Sequence, residues 1–319
     1  MQPQSIPHVG VTVFDPVNEN RKLTRDTLLN IGFRNLTACT SLDDVRRVLD
    51  VEGLDLCFFD VTDQAEQTCK LIKDVRLGNL GKNPFIVILV TSWNQNEDLV
   101  RQVIDSGADD FIARPYSIGM LISRITLQVE ARKKFIVTSS YIGPDRRRDR
   151  RPRDQSLLIE VPNTLRAKAA DGLLSGGDRD EITSVLQQVK LQRLRQCALR
   201  IGIGAKLMSD HIGAGDPPAS IEAEINQVVA SVEDIKLHVA DTDLAHLGPL
   251  CEGVLTAIDK IRAALRTSSS SANAAKPLEL LTQFNLAVRQ VLDPNCNTSS
   301  AQSEISGIVA RIKARRGDI

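Results

Sequence analysis

Aromatic residues are scarce in this 319-residue chain, at 3%. That leaves too few rings for a base-stacking platform and points to cores built from Leu, Ile, Val and Ala. Net charge is absent as well, with 40 basic against 40 acidic residues. Attraction to nucleic acid or a membrane surface would therefore need a local patch. The six cysteines, Cys39, Cys57, Cys69, Cys197, Cys251 and Cys296, include no CxxC pair and no zinc-like His/Cys spacing. Several lie in apolar stretches, where a free thiol behaves as a small hydrophobe. The longest apolar run, Phe85 to Val90, falls far short of the ~20 residues that span a bilayer. The opening MQPQSIPHVG has no basic segment followed by an apolar run, so no signal peptide is expected. The expectation is a reducing, cytoplasmic protein without a membrane partner.

The length suggests two domains at ~100–200 residues each. Apolar, β-rich runs at 9–14, 36–39, 54–59, 85–90 and 110–113 alternate with helical patterns. Gly32 and Gly107 follow two of those helices, and Ser41 with Asp44 resembles a capping box. The run at 85–90 is continuous, as in a central parallel strand buried on both faces. A helix is expected over 65–76 and another over 118–132. Five strand–helix repeats with short connections predict an α/β fold, a doubly wound five-stranded parallel sheet with helices on both faces.

In such sheets functional groups gather at the carboxyl ends of the strands. Asp15 ends the first strand, Asp60 the third, Thr91 the fourth and Arg114 the fifth. Two carboxylates, a hydroxyl and a cation meeting in one crevice suit phosphoryl transfer, which needs an in-line attacker and partners for the equatorial oxygens. An isolated Asp60 would read as a helix-capping acid; the set in register favours a site. Asp109 and Asp110 read as solvated loop acids.

The segments Val13-Phe14-Asp15-Pro16, Phe58-Phe59-Asp60-Val61-Thr62, Val90-Thr91-Ser92, Gly107-Ala108-Asp109-Asp110-Phe111 and Arg114-Pro115-Tyr116 resemble, as an ordered set, the flavodoxin-like receiver domains of two-component response regulators. The resemblance covers about residues 8–132. It implies that Asp60 accepts a phosphoryl group from a histidine kinase or phosphotransfer protein. It further implies that Asp15, Asp60 and the Thr62 carbonyl hold Mg²⁺, and that Thr91 binds the phosphoryl oxygen. Phe111 would be the aromatic switch residue, and the Arg114–Pro115 bond would be cis. The sequence departs from the family at Pro16, where a second acid is usual, and at Arg114, where the family has lysine. Losing one oxygen ligand should weaken Mg²⁺ binding, and a planar guanidinium does not reproduce an ammonium. Asp63 is a candidate replacement for the missing acid. A pseudo-receiver that keeps only the fold is therefore the alternative.

Residues 133–155 carry Gly143, two prolines and six arginines from Arg146 to Arg153, which reads as an extended linker. The first domain is thus placed at 1–134, the arginine-rich linker at 135–156 and an all-helical region at 157–319. The arginine run reads first as a solvated linker, then as a nucleic-acid or acidic-partner patch diluted by aspartates. Arg147 and Arg151 resemble the RxxxR of PilZ domains, although that family's barrel pattern does not follow. YIGPDRR resembles a segment that follows receivers in other response regulators.

Beyond it, apolar periodicity predicts helices over 182–212, 221–235, 247–265, 281–291 and 305–312, with a flexible Ser-rich stretch near 267–277. The Leu247–Leu265 seam suits a bundle core better than an intermolecular coiled coil. His211, His238 and His246 read as surface histidines. No nucleophile–base set or metal motif stands out there, so no enzyme is expected. The expected protein is a response regulator whose helical region binds a downstream protein, with a homodimer as an option. Nucleic acid is not the expected partner, and a nucleic-acid-binding regulator using the arginine-rich linker stands beside the pseudo-receiver as a second alternative.

Overall fold

The computed structural model describes residues 6–147, 157–172, 179–240, 244–266, 272–293 and 296–317. The chain divides into two units, Met1–Val189 and Lys190–Ile319.

In the first unit, strands β1 (Gly10–Phe14), β2 (Asn35–Cys39), β3 (Leu54–Asp60), β4 (Val87–Ser92) and β5 (Asp110–Ala113) alternate with helices. These are α1 (Asn18–Ile31), α2 (Leu42–Leu49), α3 (Ala65–Arg76), α4 (Glu97–Asp105) and α5 (Ile118–Glu130). The strands pair in parallel in the order β2-β1-β3-β4-β5. This is the flavodoxin-like doubly wound order, whose switch point lies between β1 and β3. Because side chains alternate along a strand, each face buries its own core. Phe14, Cys57, Phe59, Ile88 and Val90 pack on one face with Val45, Leu71 and Val103. Val11, Val13, Phe58 and Leu89 pack on the other with Leu28 and Ile125. Helix starts are fixed by side chains: Ser41 and Asp44 form a capping box, and Asn96 and Ser117 cap α4 and α5. Gly32 closes α1 at φ 119°, a left-handed conformation that favours glycine.

Strand β4 begins at Val87, two residues later than the apolar run implies. Phe85 packs elsewhere, edge-to-face with Phe135 at a centroid distance of 6.2 Å. Phe135 opens a second sheet of three antiparallel strands, β6 (Phe135–Val137), β7 (Ile142–Pro144) and β8 (Leu158–Ile159), in the order β7-β6-β8. Helix α6 (Thr164–Ala169) follows, and its Lys168 makes a buried ion pair with Asp55 at 2.7 Å.

These elements correct three expectations. The first compact unit extends past residue 134, the segment 135–144 forms paired strands rather than an extended linker, and β8 lies inside the stretch read as all-helical. The cause is a small apolar core of Phe85, Phe135, Val137, Ile142 and Val189, with arginines as its polar partners. Arg76 and Arg132 both lie over the Phe135 ring, at 5.2 and 5.1 Å. Arg146 donates to the carbonyls of Ala108 and Asp109 at 2.7 and 2.9 Å. Arg146 is thus bound rather than solvated, while Arg148 to Arg153 lie outside the described residues. Asp109 is likewise no solvated loop acid: it is buried between Arg76 (2.7 Å) and Arg132 (2.8 Å). Asp110 pairs with the partly exposed Arg124 at 3.1 Å.

The boundary between the units falls within α7 (Arg179–Ala214). The second unit continues with α8 (Pro218–Val239), α9 (Gly248–Arg266), α10 (Ala272–Leu292) and α11 (Thr298–Gly317). Cys251, Val254, Ile258 and Ile261 of the apolar seam join Ile201, Met208, Ile225, Val232, Leu281 and Val288 in one core. The seam is intramolecular. Residues 272–276 are helical, so the flexible stretch expected near 267–277 is shorter on that side; residues 267–271 lie outside the described residues. His211 faces Asp216 at 2.5 Å, His238 bonds the Asp234 carbonyl at 2.8 Å, and His246 is exposed.

Candidate functional site at the strand tips

Register brings the tips of β1, β3, β4 and β5 side by side. Asp60 is paired across the sheet with Thr91, and Phe14, next to Asp15, with Phe59. The side chains that converge there are almost wholly buried: Asp15 is 1% exposed, Asp60 3%, Thr91 1% and Arg114 4%. Arg114 is the hub. Its Nε donates to Asp60 Oδ2 (3.2 Å), and its Nη2 donates to Asp15 Oδ2 (2.9 Å) and Thr91 Oγ1 (3.2 Å). Thr91 Oγ1 in turn donates to Asp60 Oδ2 at 3.1 Å. Backbone amides supply the remaining donors, Val17 N to Asp15 Oδ1 at 2.9 Å and Thr62 N to Asp60 Oδ1 at 2.8 Å.

Two carboxylates share one guanidinium, and the consequence falls on Asp15. Burial and the charge of Asp60 push its carboxyl up to about 6, against the opposing pull of the Val17 amide, Arg114 and Arg21.

Two residues that sequence reasoning missed hold Arg114 in this pose. The Tyr116 ring lies 5.3 Å from the guanidinium carbon, and Tyr116 hydroxyl and Thr24 Oγ1 are 2.7 Å apart. Thr24 also accepts from Arg114 Nη2 at 3.4 Å. Tyr116 follows the Arg-Pro pair directly, and Thr24 puts a buried hydroxyl on α1; those are the signals that mark them. The Arg114–Pro115 bond is cis. Phe111 is half-buried against the α2–α4 core. Asp63 is exposed.

A hard divalent cation needs several free oxygen ligands. Every carboxylate oxygen of Asp15 and Asp60 already accepts a hydrogen bond, and a fixed cation bridges the two acids. Among the described residues no group of three or more His, Cys, Asp or Glu is placed to hold a metal ion. The donor set therefore does not fit the Mg²⁺ expected from the resemblance. Two surface grooves, of about 550 Å³ along α5 and about 470 Å³ among α7, α10 and α11, contain none of the crevice residues.

No family model matches the chain, and no curated protein does. Solved structures do. A response regulator from Thermotoga maritima aligns at 25% identity over 37% of this chain and 94% of its own, with a TM-score of 0.33. An orphan response regulator of H. pylori aligns at 24% identity over 38% and 95%, also at 0.33. The chemotaxis protein CheY4 of Vibrio cholerae aligns at 17% over 37% and 96%, again at 0.33. The N-terminal part of the chain has the flavodoxin-like doubly wound fold. The C-terminal part lies outside these matches. Among the described residues no helix is long and apolar enough to cross a membrane.

Proposed function

We propose that this chain is a regulatory protein of the response-regulator type. Its receiver crevice sets the state of the molecule, and its helical unit delivers that state to a downstream protein. It acts as a regulator rather than as an enzyme. The single observation that carries the reading is the convergence of Asp15, Asp60, Thr91 and Arg114 in one buried hydrogen-bonded crevice at the strand tips.

In this reading Asp60 is the control residue. Thr91 and Arg114 sense its state, and Phe111 and Pro115 carry a change in the crevice towards α5. A histidine kinase or phosphotransfer protein is the input partner the family uses, delivering a phosphoryl group to Asp60. Specific observations favour a second input mode, independent of phosphoryl donors: Thr91 already bonds Asp60, and the crevice does not fit Mg²⁺.

Hydrogen exchange of the full chain, read by mass spectrometry, tests the reading. Asp60→Asn and Thr91→Ala should alter protection in peptides of α8–α10 as well as around the crevice. Changes confined to the receiver would overturn the claim that the crevice governs the helical unit.

A further inference from the structure

The misfit between the crevice and a divalent metal has a specific chemical form. In the described residues one cation is permanently present, delivered by the chain itself. The Arg114 guanidinium bonds Asp15 and Asp60 through different nitrogens, Nη2 at 2.9 Å and Nε at 3.2 Å. Such a planar fork can bridge two acids at once, which a compact ammonium does less well. The fork is not loose: Thr91, Thr24 and the Tyr116 ring contact it on its remaining sides. At the tip of β1, Pro16 offers no side-chain oxygen where a third carboxylate would create unpaired negative charge. Arg114 is thus the cation shared by both acids, and Arg21 adds a second positive charge beside Asp15, donating from its Nη1 to the Asp15 carbonyl at 2.6 Å.

We propose that Arg114 is a built-in substitute for the divalent cation, so that the crevice is closed, with Thr91 drawn onto Asp60, without metal or phosphoryl group. The inference rests on the response-regulator reading and assigns its control site a resting state. The same arrangement disfavours acyl phosphate formation. In that step an Asp60 oxygen would bond phosphorus while the donor's P–O bond breaks and acetate, for acetyl phosphate, leaves with the electron pair. Here the oxygen that would attack is engaged by Thr91 and Arg114 or by the Thr62 amide, and no metal site stands ready to neutralise the added charge. Pro16 and Arg114 act together in this account, so restoring an acid and an ammonium should restore metal binding.

The test uses the full chain and MgCl₂ as the probe. Trp93, the one tryptophan, is 49% exposed, and its amide donates to Thr62 Oγ1 at 3.3 Å beside the crevice. Its emission, with calorimetry in parallel, should not respond to millimolar Mg²⁺ in the wild type. The Pro16→Asp/Arg114→Lys double variant should show saturable binding, at least tenfold tighter. Intact mass after acetyl phosphate and Mg²⁺ should be unchanged for the wild type. It should rise by one phosphoryl group for the double variant, and not when Asp60→Asn is added. Wild-type binding equal to that of the double variant, or a phosphorylated wild type, overturns the proposal. A double variant that melts cooperatively yet binds no Mg²⁺ overturns the assignment to Arg114. If the double variant does not fold, Arg114→Lys alone is compared in its place by the same criteria. A phosphorylated wild type would leave the response-regulator reading standing, whereas loss of crevice-to-helix coupling in the exchange experiment would remove that reading and leave the metal result intact.

Discussion

Arg114 Nη2 lies 2.9 Å from Asp15 Oδ2, a contact between residues 99 positions apart that closes the sheet's crevice from β1 to β5. Both side chains are buried. Pairs of this kind are most informative when broken, because removal of one partner strands the other in a low-dielectric site.

Arg114→Ala strands two carboxylates at once. The expected loss is about 3–5 kcal/mol, read as a fall of roughly 10 °C or more in the melting temperature of the receiver unit. Arg114→Lys keeps the charge and should lose less. Calorimetry on the two variants and the wild type checks the order.

The shift at Asp15 predicts a pH dependence. Its carboxyl is raised from 3.8 to about 6 by burial and the neighbouring Asp60 charge. The folded chain therefore holds this proton more tightly than the unfolded chain does. The stability it contributes is complete below about 4 and is lost as pH rises to about 6. Melting temperatures across this interval should fall more steeply with pH in the wild type than in Asp15→Asn. Parallel curves would remove the linkage.

The junction between the receiver sheet and the small antiparallel sheet is tight at Gly107. A Cβ there would meet the Ile142 carbonyl oxygen at 2.3 Å, and the backbone sits at φ +91°. Neither can yield cheaply. Gly107→Ala should cost at least about 2 kcal/mol, combining left-handed strain with overpacking. A variant as stable as the wild type in urea would show that β7 does not pack as described.

Thiol chemistry gives an independent check on burial. Cys39, Cys57, Cys69, Cys197 and Cys251 are buried, and Cys296 is partly exposed. Burial raises the thiol of Cys39 and that of Cys251 to about 11, and pushes Cys57, Cys69 and Cys197 up as well. Since the thiolate is the reactive form, a thiol reagent should label one residue, Cys296, in the folded chain at neutral pH. Rapid labelling of Cys57 would contradict the sheet core.

What the sequence revealed and what it concealed divide along physical lines. The parallel sheet was legible because buried strands leave continuous apolar runs, and because Asp15, Asp60, Thr91 and Arg114 each directly end or follow one. The small sheet was not. Its strands are two or three residues long, too short for any period to register, and they lie among Gly, Pro and Arg. Asp109 misled for a related reason. Its burial depends on Arg76 and Arg132, 33 and 23 residues away, and nothing local announces such partners. The bridging role of Arg114 was hidden too, because residue identity supplies the charge but only the fold supplies the second acid within reach.

The most direct measurement of the central claim is a double-mutant cycle on Asp60 and Arg114, with stabilities from urea unfolding of Asp60→Ala, Arg114→Ala and the pair. Buried neighbours in one hydrogen-bonded network should show a coupling of at least about 1 kcal/mol. Additive losses, with coupling near zero, would mean that the two side chains do not meet, and the crevice as described would not exist.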